Sequence, residues 1–430
     1  MVYFLNFMVL ALFFFGVNSS IKVVFLSVLI SMISFMLGVE TIFSKSMIMD
    51  YVSWFMIFVV LWVFILALFP TFTYSSFQVK CLSVLALISV LFLTSSNLVV
   101  MYLLFELSMI PVMGIVFLSS LSPARFMAGW YLFLYTAGAS IPLLMALLKF
   151  SGQGVSTFLY VLNYPLGWEL FLMIAFLVKT PLFYCHSWLL KAHVEASLEG
   201  SIILAGILLK FGSYGIYRLK SVILIFSMTL LSKILLAVGL IGSLVGAISA
   251  FAEMDLKKVV AYSSVSHMNV SLSSFLLLKS ISAKSFLCMT ISHALSASVL
   301  FFMATLLYEL AGSRNLIVMK SHSVVEPSWL PYVMWAWFIN MSLPPSLGFI
   351  SEILFLSGIS SFSFFLGVLL VTGFMISSFY SIHSAVGSGL SSLKSAHLSC
   401  PILLKNYLYS WFSMIPCMLL FFTAAFMAIL

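Results

Sequence analysis

An all-α polytopic membrane protein is the fold class this sequence predicts, and three observations predict it. Of its 430 residues, 63% are hydrophobic and only 7% are charged, whereas a soluble domain carries roughly 25% charge. The mean hydropathy is +1.24. Apolar runs of spanning length follow one another with short polar connections, and they lack the short alternating strands of a membrane barrel. Helices must therefore satisfy the backbone inside the bilayer. At about 20 residues per span, the chain holds about thirteen or fourteen spans in one integral membrane domain.

The elements follow in order. Val2–Val17 and Ile21–Val39 are predicted spans parted by Asn18-Ser19-Ser20. The first has no basic leader region and no small-residue cleavage site, so a retained span is expected. Tyr51–Phe69 ends at Pro70, and Cys81–Leu93 and Leu98–Leu118 come next. Arg125–Phe150 is a longer span before the Gly/Ser/Asn-bearing loop Ser151–Gly167. Leu170–Tyr184 and Ser197–Tyr217 are joined by a polar connection. Val222–Met228 and Ile234–Phe251 form a helix pair or one long helix with Lys233 near a break. Val259–Leu278, Phe286–Leu307, Pro331–Leu354, Ser361–Phe379 and Leu408–Leu430 complete the set.

The net charge of +8 does not point to nucleic acid, because the basic residues are scattered singly. Lys22, Lys80, Arg125 and Lys220 lie at the ends of apolar runs, as interfacial anchors facing acidic headgroups do. The five cysteines form no CxxC pair, so neither a zinc or iron–sulfur site nor a disulfide framework is expected. GxGxxG, phosphate-loop and CxxCH motifs are absent from the sequence. A redox or nucleotide site in this chain is therefore not expected. The high counts of Met (25) and Phe (43) fit a biased organellar code.

Ionisable residues inside apolar runs are costly and mark function by default. Glu106 has about ten apolar or weakly polar residues on each side, so it pairs with a cation, faces water or exchanges a proton. Lys179 is followed by Thr180-Pro181, and proline breaks a helix and frees carbonyls that polar groups must satisfy. Broken helices at mid-depth are where transporters place ion sites. Lys210 lies among Gly206, Gly212 and Gly215, eight residues before Arg218; it is either a site residue or a snorkelling one. Glu352 follows Pro344-Pro345, a second proline-broken segment, and the pair of breaks points to an internal repeat around two half-channels. His186, His193 and Glu195 lie in the connection after Lys179. His267 and His293 are packing residues or relay members, since histidine titrates near neutral pH. Ser263, Ser264 and Ser266 are placed to hold water beside His267.

At these residues the sequence resembles the subunit 4 family of mitochondrial NADH:ubiquinone oxidoreductase, respiratory complex I. FLVKTPLFYCHSWLLKAHVEA, GSIILAGILLKFGSYG, DLKKVVAYSSVSHM, ISHALSASVLFFMATLLYE and SLPPSLGFISEI carry the resemblance, from about Glu106 to Glu352. The resemblance implies an antiporter-like proton-pumping module of about fourteen spans, built from two inverted five-helix repeats with two proline-broken helices. It implies a pump core over about residues 80–385, with a C-terminal loop and last span over 386–430. Glu106 and Lys179 match the glutamate–lysine pair of the first half-channel, Lys210 the central lysine, and Glu352 the acid of the second broken helix. His186, His267 and His293 fall on histidines of the polar axis. The chain departs from the family at Leu190 and Ser197, where proline is usual, and at Glu199, where a small residue is usual.

The expected function is proton translocation across the mitochondrial inner membrane, coupled to quinone reduction elsewhere in the complex. No cofactor is expected in this chain; NADH, FMN, iron–sulfur clusters and ubiquinone belong to other subunits. The expected partners are other membrane-arm subunits, sister antiporter-like subunits among them, and membrane lipids, with cardiolipin a candidate. A multi-subunit cation/proton antiporter is the alternative activity, and a membrane scaffold with its charges locked as ion pairs is a third reading.

Overall fold

The computed structural model describes residues 42–43, 48–68, 76–118, 123–151, 168–219, 230–277, 279–321, 330–389, 410, 413–418 and 420–421. The predicted spans Val2–Val17, Ile21–Val39 and Val222–Met228 lie outside the described residues, as do most of the loop Ser151–Gly167 and much of the span Leu408–Leu430. Among the described residues, eight helices are long and apolar enough to cross a membrane, and the shorter apolar helices Leu170–Lys179 and Leu347–Ser360 accompany them. Among the described residues the fold is all-α apart from one small hairpin, in which β1 (Ile42–Phe43) pairs antiparallel with β2 (Ile48–Met49).

The chain divides into two compact units, Met1–Lys179 with Glu195–Phe226, and Thr180–Val194 with Ser227–Leu430. In the first, α1 (Tyr51–Leu68) is buried along almost its whole length and packs against α2 (Ser76–Thr94). The predicted span Leu98–Leu118 is two helices, α3 (Leu98–Leu107) and α4 (Met109–Leu118), meeting at Ser108. Pro111 explains the join, because it offers no N–H and crowds the carbonyl of Leu107. The long α5 (Ala124–Ser151) packs on α6 (Glu169–Lys179). The segment Leu198–Arg218 is α8 (Leu198–Ile203), a π-helical turn (Leu204–Leu208) and α9 (Leu209–Arg218). Between α6 and α8 the sequence predicts a connection, yet Ser187–Glu195 is helical and forms α7.

The second unit is built on α10 (Leu230–Ala252), α11 (Leu256–Leu276) and α12 (Ser280–Ala311). Lys233 lies in the first turn of α10, and residues 220–229, where the expected break falls, lie outside the described residues. Gly242 and Gly246 bring α10 close to α11: a Cβ on Gly246 would meet the Ser266 backbone at 3.2 Å. Small residues allow such approach where no hydrophobic effect drives helices together. A short α13 (Leu316–Ser321) precedes the second broken helix, α14 (Leu330–Asn340) and α15 (Leu347–Ser360). Both halves pack on α12, and α16 (Phe364–Gly389) lies against α10, α14 and α15.

Candidate functional site

In the first unit α6 stops at Lys179, as Pro181 dictates. Lys179 is 1% exposed. Its Nζ donates to the Phe105 carbonyl at 3.1 Å and lies 3.2 Å from the centroid of the Phe105 ring. The Phe211 ring is 5.7 Å away. The same carbonyl accepts from Ser108 Oγ at 2.6 Å, so the join at Ser108 leaves this acceptor shared between a helix hydroxyl and the lysine. Glu106, in the last turn of α3, is the charged neighbour that acts on Lys179. The two make no direct ion pair, and Glu106 Oε1 is buried without a hydrogen-bond partner. The locked-ion-pair alternative is therefore not the arrangement found at this pair. Tyr102, one turn earlier, lies beside the Ser140 side chain and also faces the carboxylate electrostatically.

Lys210 is 0% exposed, which excludes snorkelling. Its Nζ donates to the Ala205 carbonyl at 2.9 Å. Ala205 lies in the π-turn, whose wider hydrogen-bond ring displaces carbonyls from the ordinary helical pattern. The glycines around Lys210 serve close packing. A Cβ on Gly206 would lie 2.5 Å from Val63, and one on Gly215 would lie 2.3 Å from the Phe176 ring. The end of α9 is tied down by Arg218, which grips Asp50 with two bonds of 2.8 Å and donates through Nε to Tyr214 Oη at 2.7 Å.

In the second unit the first break runs from Thr180 to His186. Tyr184 there has φ 76, in the left-handed region that side chains disfavour. Asn269 of α11 holds this segment, donating to the Pro181 carbonyl at 3.0 Å and accepting from the Phe183 N–H at 3.2 Å. His186 stacks on Phe183 at 5.4 Å, and its Nδ1 is buried without a hydrogen-bond partner. His193, inside α7, stacks on Phe301 at 4.7 Å. His267 and His293 face each other across α11 and α12, ring centroids 6.1 Å apart. The hydroxyls of Ser263, Ser264 and Ser266 donate to carbonyls of their own helix at 2.7, 2.6 and 2.8 Å. A cavity of about 10 Å³ lined by His267, Ser266, Ser243 and Ser377 is close to the room one water needs.

The second break, between Asn340 and Leu347, carries Ser342 at φ 57. The Ser342 side chain lies beside the Glu352 carboxyl on α15. Gly348 makes room for it, since a Cβ there would meet Ser342 Oγ at 2.7 Å. Glu352 in turn faces Tyr380 of α16. Tyr380, 1% exposed, accepts from Asn340 Nδ2 at 3.4 Å and lies beside the side chains of Ser263 and Ser266. The structure thus groups Glu106, Lys179 and Lys210 in the first unit, and His267, His293 and Glu352 with the second break in the second. Asn269, Asn340 and Tyr380 are members that sequence reasoning missed. Their one local signal is a polar group inside a serine-bearing apolar run.

The positions that depart from the expected pattern are well accommodated. Leu190 lies within intact α7, and Ser197 caps α8 by accepting from Gly200 N. Glu199 stands in the first turn of α8, where the helix dipole favours an acid.

Residues 95–377 match the family NADH:quinone oxidoreductase/Mrp antiporter, TM. The chain belongs to this family of antiporter-like membrane proteins. It is 35% identical over 366 residues to NADH-ubiquinone oxidoreductase chain 4 of Albinaria caerulea, covering 82% of each chain. It is 39% identical over 283 residues to the chain 4 of Lumbricus terrestris, covering 63% of this chain and 61% of that one. Within the family it therefore belongs with the chain 4 subunits of NADH:ubiquinone oxidoreductase. The fold is also that of a chain in respiratory complex I from Thermus thermophilus with bound NADH, with a TM-score of 0.81 at 20% identity, covering 97% of this chain and 95% of that one. A chain of the Mrp complex from Dietzia sp. matches with the same TM-score at 14% identity, covering 99% of this chain and 91% of that one.

Proposed function

We propose that this chain is a proton-translocating membrane subunit of NADH:ubiquinone oxidoreductase, working in the mitochondrial inner membrane. Its neighbours are other membrane-arm subunits, sister antiporter-like subunits among them, and lipids such as cardiolipin. NADH, FMN, iron–sulfur clusters and ubiquinone are held by other subunits, and quinone reduction there drives the protons here. Glu106, Lys179 and Lys210 serve the first half-channel, Glu352 the second, and His186, His267 and His293 are the relay groups.

The observation that carries this reading is the environment of Lys179. An ammonium wholly buried among aromatic rings, held by a single carbonyl, has its protonation set first by its burial and then by whichever charge faces it. Glu106 is that charge. A change in the carboxylate's charge or distance tips the lysine between holding and releasing its proton. Moving one charge across the membrane costs about 2.3 kcal/mol per 100 mV, and a pKa change of roughly two units supplies an amount of that order.

The test is Lys179→Ala in the complex reconstituted into vesicles. Proton uptake per NADH oxidised should fall with the complex fully assembled; an unchanged ratio would sink the role. Sodium-dependent transport without NADH oxidation would favour the cation/proton antiporter instead. If neutralising Glu106 and Lys179 together leaves coupled turnover intact, the chain is a scaffold.

A further inference from the structure

We infer that Asn269 is a positioning residue for the proton-carrying lysine, acting through the backbone of the first helix break; the inference rests on the function proposed above.

The side-chain amide of Asn269 is 0% exposed. Its Nδ2 donates to the Pro181 carbonyl at 3.0 Å and to the Val265 carbonyl at 2.8 Å, and its Oδ1 accepts from the Phe183 N–H at 3.2 Å. Both amide hydrogens are used, and an asparagine has no more to give. The network also fixes which way the amide faces. The reverse orientation would set the NH₂ against an N–H and the oxygen against two carbonyls.

The two groups held are those a proline break releases. Pro181 has no N–H, so the chain turns out of the helix and leaves main-chain donors and acceptors that water cannot reach in a bilayer. Asn269 supplies one partner of each sign. Pro181 is two residues after Lys179, so the backbone clamped by Asn269 is the backbone that ends the lysine's own helix.

Space is shaped to the same end. Gly242 of α10 faces both partners: a Cβ there would lie 2.6 Å from Phe183 Cβ and 3.0 Å from Asn269 Oδ1. Only a hydrogen at position 242 lets the break and the amide meet. The segment also holds Tyr184 at φ 76, a conformation that persists only where surrounding contacts over-determine it.

The experiment uses the whole complex in vesicles carrying Asn269→Ala, Asn269→Asp, Gly242→Ala or Lys179→Ala. Asn269→Asp keeps the volume and the acceptor for Phe183 but turns an oxygen toward two carbonyls. Gly242→Ala removes no polar group yet wedges the clamp open. Proton uptake should fall about tenfold in each of these clamp variants, since a small misplacement of a reacting group costs up to about 100-fold. Electron transfer from NADH to a water-soluble acceptor should be unchanged. The pH profile of proton uptake should move by about one unit or more, which loss of packing alone would not produce. Should Asn269→Ala fail to assemble, Asn269→Ser gives the same reading with a smaller disturbance. If uptake falls with an unmoved pH profile, or stays normal while Lys179→Ala abolishes it, the positioning role is overturned and the proposed function stands. Normal uptake in Lys179→Ala would overturn the function itself.

Discussion

Lys179 donates its ammonium to the main-chain carbonyl of Phe105 at 3.1 Å, not to the carboxylate of Glu106, the next residue along the same helix. The group that holds the lysine is thus separate from the group that sets its charge. A direct ion pair would fasten both functions to one bond, and removing a proton would then break the structure as well.

This separation predicts that Glu106→Gln leaves the complex assembled, because the bond to Phe105 and the ring contact survive. Proton uptake should nevertheless drop about tenfold or more, toward the range lost when a proton-transfer partner is removed. Lys179→Met, which keeps the packed stem, should behave alike. Dye-reported uptake in vesicles beside assembled yield on native gels checks both, and normal uptake in Glu106→Gln would mean the lysine cycles without its partner.

A second prediction concerns Asp50 and Arg218, whose side chains are 25% and 9% exposed. Asp50→Asn leaves a guanidinium largely shielded from water with its fork half filled. Breaking a buried pair costs about 3–5 kcal/mol, and the partial exposure of Asp50 places this one at about 3 kcal/mol or less. Arg218→Lys should also destabilise, since a point ammonium cannot make two parallel bonds and reach Tyr214 as well. Thermal melting of the purified complex, with yield as a second readout, measures both.

Much of the fold was legible because span length is dictated by the bilayer. Tyr51–Phe69 was expected and Tyr51–Leu68 is found; Arg125–Phe150 was expected and Ala124–Ser151 is found. Where the sequence departs from a continuous apolar run, reading was poorer. α7 reads as a connection because Lys191, His193 and Glu195 crowd it, yet it is a helix that buries Trp188, Leu189, Ala192 and His193 itself. The join at Ser108 was missed although Pro111 announced it. Lys179, Lys210 and Glu352 were legible because a charge in an apolar run is locally odd. Asn269 was not, because its partners lie 86 and 88 residues away and nothing in the local sequence says which way its amide points.

Outside the spans, Asp255 at the start of α11 gives a pH prediction. Burial pushes its carboxyl above the ordinary aspartate value, against the opposing charges of Arg314, Lys258 and Lys257 and with Glu253 adding to the rise. Its Oδ1 is buried without a hydrogen-bond partner. With the folded pKa above the unfolded one, the unfolded chain gives up its proton first as pH rises. Stability from this group is therefore full below about pH 4 and is lost as pH climbs through the folded value. Asp255→Asn should remove that dependence and leave the neutral-pH melting temperature equal or higher. Melting curves of the complex from acid to neutral pH check it; a lower melting temperature for Asp255→Asn at neutral pH would show that the charged form is held by its cationic neighbours.

The last prediction concerns Tyr380. Ser263 and Ser266 spend their single hydroxyl hydrogens on carbonyls of their own helix, and their side chains lie beside the Tyr380 phenol. It accepts from Asn340 Nδ2. The phenol thus takes a hydrogen bond from the end of α14 and faces Glu352 electrostatically. Tyr380→Phe keeps the ring and removes only the hydroxyl, which leaves the Asn340 amide without this acceptor. The stability cost should be about 1–3 kcal/mol, the penalty for stranding a buried donor. Proton uptake should fall as well if Glu352 exchanges its proton by way of this hydroxyl, whereas Asn340→Ala, which leaves the phenol in place beside Glu352, should lower stability and spare uptake. Measuring melting temperature and vesicle proton uptake in both variants separates the two roles: equal effects on uptake would mean that the hydroxyl only fastens α16 to its neighbours.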